Sequence, residues 1–117
     1  MGNKYGEALG IWELRVGKAN LDLKPKKGDN LKLFRLMSEA KTKGELWFLE
    51  QFAQFIRGLI IRDHPPTNDQ ESEELDMYIE FNLVDLLIET QVAFRLAKRE
   101  DVEKRKKELE KKLTGEE

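Results

Sequence analysis

The chain has 117 residues, 39% hydrophobic and 38% charged, with a net charge of −2. That length supports one modest core, and the charged fraction stands well above the roughly 25% of an average domain. The absence of cysteine excludes a disulfide framework, a thiolate zinc site and a cysteine nucleophile.

Residues 1–10 hold three glycines and no apolar periodicity, and are expected to form a flexible leader. They lack the apolar core of a signal peptide, and Gly6 stands where a myristoylation motif requires Ser or Thr. The longest apolar run, Leu46 to Leu49, is far short of the ~20 residues of a membrane span. The expected location is cytoplasmic (the host cytoplasm for a viral chain), with no membrane partner. Apolar residues then fall two apart from Trp12 to Val16 and again from Ala19 to Leu23, around Gly17-Lys18. This is the period of a β-hairpin with one buried face, and such a hairpin needs a helical support.

Pro25 ends the second strand, and Asp29 or Asn30 is expected to cap a helix over about 30–41. Leu33, Phe34, Met37 and Ala40, with Leu36 alongside, form its apolar stripe. Thr42-Lys43-Gly44-Glu45 reads as a capping box opening a second helix over 43–63. Its apolar face is Leu49, Phe52, Ala53, Ile56, Leu59 and Ile60, widened by Trp47, Phe48 and Phe55. His64-Pro65-Pro66 stops it, since neither proline continues a helix. After a polar loop in which Thr67-Asn68-Asp69-Gln70 offers another cap, a third helix is expected over 70–97. Its broad apolar arc, running from Leu75 through Leu83 and Leu86 to Leu96, marks it as central or as covered by a partner. The segment 98–113 is charge-dense with a thin seam of Val102, Leu109 and Leu113, and reads as a solvated or partner-dependent helix. The expected fold is therefore mostly α, three to four helices with a small N-terminal β-hairpin. Residues 11–97 make a single helical domain, and 98–117 a charged C-terminal helix and tail.

Charge is laid out in blocks. Residues 63–94 carry nine acids and no Lys or Arg, while residues 1–62 carry twelve basic and seven acidic side chains. One acidic and one mildly basic surface are expected on the same body. Asp76/Glu80 and Asp85/Glu89 are each four apart and share a helix face, which reads as a solvated acidic face or a patch for a basic partner ahead of acid-base chemistry or a metal site. His64 is the single histidine, so no histidine pair is available to clamp a metal. No catalytic, metal or cofactor residue is assigned. Asn82, set among apolar neighbours, reads either as a register-fixing polar group or as a partly exposed amide.

The stretch Leu23-Lys24-Pro25-Lys26-Lys27, the helix from Leu31 to Met37, the aromatic segment from Trp47 to Ile61, the acidic break from Asp69 to Asp76 and the closing Ala93-Phe94-Arg95-Leu96 occur in a telling order. Over Leu21 to Arg99 this resembles the small tail-assembly chaperones of long-tailed bacteriophages and related proviruses. The resemblance implies binding of a tape-measure protein, self-association and no catalytic residue. The expectation is a non-enzymatic, oligomeric interaction protein, with partner contacts at Trp47, Phe48, Phe55, Tyr78, Glu80 and Glu89. The alternative is a small nucleic-acid-binding regulator whose basic turn, Lys24, Lys26, Lys27, Lys32 and Arg35, holds phosphates beside a helix N-terminus.

Overall fold

The computed structural model describes residues 11–114; the expected leader at 1–10 and the end of the tail at 115–117 lie outside the described residues. Strands β1 (Trp12–Val16) and β2 (Ala19–Leu23) pair antiparallel, with Trp12 opposite Leu23, Leu14 opposite Leu21 and Val16 opposite Ala19. The period-two pattern thus puts every apolar residue of the hairpin on one face, and Leu14, Val16 and Leu23 are buried. Gly17 supplies the positive φ of 63° that a two-residue turn requires at its first position.

Five helices follow among the described residues: α1 (Asp29–Lys43), α2 (Glu45–Asp63), α3 (Asp69–Phe81), α4 (Leu83–Ala93) and α5 (Arg99–Thr114). The fold is mostly helical with an N-terminal hairpin, as expected, but it has one helix more than the three to four predicted. The expected helix over 70–97 is two helices. It breaks at Asn82, whose Nδ2 donates to the Tyr78 carbonyl four residues back at 2.9 Å. A short amide that bonds its own backbone competes with helix continuation, and here that competition wins. The second piece stops at Ala93, with Arg95 at φ 58°. The Leu96 N–H bonds the Gln91 carbonyl at 3.0 Å and the Arg95 N–H bonds Val92 at 3.0 Å, which is the Schellman termination.

Two caps also differ from expectation. Helix α1 continues through Thr42, whose hydroxyl donates to the Glu39 carbonyl, so the capping box is not formed. Gly44 separates α1 from α2 at φ 95°, a conformation other residues reach only with strain. At the start of α1, neither Asp29 nor Asn30 is the cap; Gly28 holds that position. The Asn30 amide instead donates to the Phe94 carbonyl at 2.6 Å. Asn68 does cap α3, accepting from the Glu71 N–H at 2.8 Å.

The centre of the molecule is α2, not the segment after Asp69. It packs against α1, α3, α4 and β2, and it buries Phe48, Phe52, Phe55, Ile56, Leu59 and Ile60. Phe52 joins Phe48 on one side and Phe55 on the other, with ring centroids 6.3 Å apart in each pair. Phe94 then bridges from Phe55 to Trp12 of the hairpin at 5.5 Å, edge to face. The hairpin is further tied down by the Tyr78 hydroxyl, which donates to the Val16 carbonyl at 2.9 Å. His64, just past α2, hydrogen-bonds the Asp22 carbonyl through Nε2 at 2.7 Å. Helix α5 packs along α4 by burying Val102; the seam positions Leu109 and Leu113 lie outside the described side chains.

Candidate partner-binding surface

Two apolar grooves flank α2. The first, about 390 Å³, lies among α1, α2, α4 and α5, with Met37, Phe48, Leu87, Ile88 and Val102 along its floor. Gln91 is 5% exposed and lines the same groove, its amide resting 3.7 Å from the Met37 sulfur. Phe34, Lys41, Glu45 and Arg105 line it as well. The second groove, about 360 Å³, runs between α2 and α3–α4 past Leu46, Ala53, Arg57, Ile79 and Leu83.

Several large apolar side chains lie over half exposed, and two of them, Phe34 and Leu46, line these grooves. Leu31 and Phe34 on α1 are 70% and 58% exposed, and Leu46 at the second groove is 73% exposed. Met77 and Phe81 on α3 reach 54% and 77%. Single exposed apolar residues are ordinary, but groups of them beside apolar grooves mark contact surfaces. Sequence reasoning set Phe34 in the apolar stripe of its helix and counted Phe81 in the broad apolar arc of the third, but named neither these nor Leu46 and Met77 as contact residues. The available signal was the four-residue spacing of Met77 and Phe81 among glutamates.

The six residues expected to bind a partner do not form one surface. Phe48 and Phe55 are buried in the core, and of the two Phe48 also lines the first groove. Tyr78 is half-buried; burial raises its phenol pKa, and its hydroxyl is engaged by Val16. Trp47 is half-buried with the Lys43 ammonium 4.6 Å from its ring centroid. Both Glu89 carboxylate oxygens accept from the Arg99 guanidinium, at 2.9 and 3.2 Å. Glu80 is exposed beside the second groove.

The acidic columns are largely paired within the chain. Asp76 accepts from Arg57 Nε at 2.6 Å, and Asp85 meets the Lys106 ammonium at 2.6 Å. That contact holds the Lys106 pKa above its usual value. Between the basic turn and the end of α2 the same matching occurs. The Arg62 guanidinium grips both oxygens of Asp29, at 3.1 and 2.8 Å, and donates to the Lys24 carbonyl. Burial pushes the Asp29 carboxyl up, but the Arg62 and Lys26 N–H hydrogen bonds outweigh it and hold the pKa below the usual value. The Lys24 N–H donates to Asp63 at 3.0 Å and the Lys26 N–H to Asp29 at 2.8 Å. Lys32 sits 5.9 Å from the Phe55 ring centroid, while Lys24, Lys26, Lys27 and Arg35 remain exposed. The first turn of α1 therefore presents an ion-paired carboxylate where an incoming phosphate would need free amides.

Among the described residues no group of three or more His, Asp or Glu gathers as a metal cage, and no helix is long and apolar enough to cross a membrane. Compared with protein-family models, curated proteins and solved structures, the chain matches none.

Proposed function

We propose that this chain is a non-enzymatic, self-associating interaction protein, acting as a tail-assembly chaperone that binds apolar stretches of a tape-measure-like protein. The observation that carries this reading is the apolar surface left uncovered on both sides of α2, two grooves with Phe34 and Leu46 exposed beside them. An extended helical client with recurring apolar residues suits such grooves, because each i, i+3, i+4 set offers side chains to fill one. Asp29, Arg62, Arg99 and Lys106 owe their pKa shifts to ion-pair partners, an arrangement that fixes helices against one another.

The test is co-expression with the product of the reading frame immediately downstream in the source genome, which the proposal expects to be long and of tape-measure character. Co-elution of the two proteins through two chromatographic steps is expected. A downstream frame with no tape-measure character, or a client that elutes alone, overturns the chaperone assignment. Light scattering at micromolar concentration checks self-association, and a clean monomer removes that part.

A further inference from the structure

Helix α3 carries six carboxylates and no Lys or Arg. On its outer side Met77 and Phe81, four residues apart and so adjacent along one face, are 54% and 77% exposed. Glu73, Glu74 and Glu80 surround them, all exposed. The first groove has the opposite character: an apolar floor, with the exposed cations Lys41 and Arg105, against one exposed acid, Glu45, among its lining residues. No residue of α3 lines it.

We propose that the first groove is the receptor for a second copy of this chain, which inserts the outer face of its α3. Met77 and Phe81 of the incoming copy cover the apolar floor, and its glutamates face Lys41 and Arg105. This rests on the interaction reading above and names both halves of the self-contact. Apolar meets apolar and acid meets base, so desolvation and charge favour the same docking. The two patches differ, and of the arrangements this allows the contact proposed is the head-to-tail one rather than a reciprocal twofold exchange. Each pair keeps one open groove and one open α3 face, and growth continues beyond the dimer.

Two double variants test this, both at exposed positions: M77Q/F81Q removes the inserting face, and K41E/R105E reverses the receiving charge. Circular dichroism melts establish that each is folded; if charge reversal unfolds the chain, K41Q/R105Q replaces it. By light scattering the parent forms oligomers that grow with concentration, and each variant alone associates at least about tenfold more weakly. An equimolar mixture then forms a one-to-one pair and nothing larger, because one variant retains a groove and the other retains a face. A parent that stays monomeric, variants that associate like the parent, or a mixture that stays monomeric overturns the proposal. The latter two results, obtained with an associating parent, place self-association elsewhere and leave the chaperone reading standing on client co-elution.

Discussion

Arg95 holds a left-handed conformation that glycine adopts without strain. Its backbone is kept there by the paired hydrogen bonds that end α4, while its side chain is exposed. Arg95→Gly should therefore stabilise the chain by about 1 kcal/mol, the balance of relieved strain against added unfolded-state entropy, measured by urea denaturation. Asp29 makes the opposite case, a residue whose charge the fold needs. Its side chain is 12% exposed and the Arg62 side chain 28%, so the pair is only partly screened. Its folded pKa lies below the ordinary 3.8, so its contribution is present above that value and is lost as pH falls through the lower folded value. Asp29→Asn should cost ~1–2 kcal/mol at pH 6, and the difference from the parent should vanish towards pH 2 in a series of melts.

At the scale of elements, the break at Asn82 decides where apolar surface goes. One straight helix would commit Ile79 and the Leu86-Leu87-Ile88 run to a single axis. Two helices let α3 bury Ile79 beside α2 while α4 turns toward the hairpin and α5. Leu86 is fully buried, and Leu86→Ala should cost about 2–4 kcal/mol. Leu83, half-buried in the second groove, should cost about 1 kcal/mol on the same substitution, because less surface returns to water. Equal losses in thermal melts would show that the groove is closed in solution. The hairpin turn is fitted to the same break: a Cβ on Gly17 would meet Asn82 Oδ1 at 3.1 Å, and φ there is already 63°. Gly17→Ala should lower stability by about 1–3 kcal/mol and loosen the hairpin first, seen as faster amide exchange at Leu14 and Val16.

For the whole molecule, the distribution of charge separates two kinds of self-contact. Exposed glutamates around Met77 and Phe81 and exposed cations at the groove attract across a distance that salt screens. Association of the parent should weaken several-fold between about 0.05 and 0.5 M salt, followed by light scattering. Strengthening over the same range would signal a purely apolar contact. The internal pairs Asp29–Arg62, Asp85–Lys106 and Glu89–Arg99 join separate helices, so part of the charge the chain carries is committed to its own assembly. Two bases of 98–112 are part of that arrangement. Arg99 and Lys106 bind carboxylates of α4, and the charged segment packs on the domain where a solvated or partner-dependent helix was expected.

Local chemistry determined the hairpin, the end of α2 and the Asn68 cap. Period-two apolar spacing, a diproline and an Asx residue before a helix act within a few residues of themselves. Most of the α2 core, from Phe52 to Ile60, was legible for the same reason, since a 3.6-residue apolar stripe has one sensible place to go. Tertiary structure alone decided the rest. Phe48 and Phe55 have the aromatic character of contact residues, yet the core received Phe55, held between Phe52 and Phe94, while Phe48 packs on Phe52 and still lines the first groove. Phe34, at helical spacing with Leu33 and Met37, lies 58% exposed because no element among the described residues covers that edge of α1. Asn82 breaks its helix through its own amide, a local signal weaker than glycine or proline, and Arg95 carries no such signal, so its break follows from the packing of the pieces on either side. Periodicity states which face of a segment is apolar. Which faces find a cover, and which remain open for another molecule, depends on how many segments surround them, and that number exists only once the chain has folded.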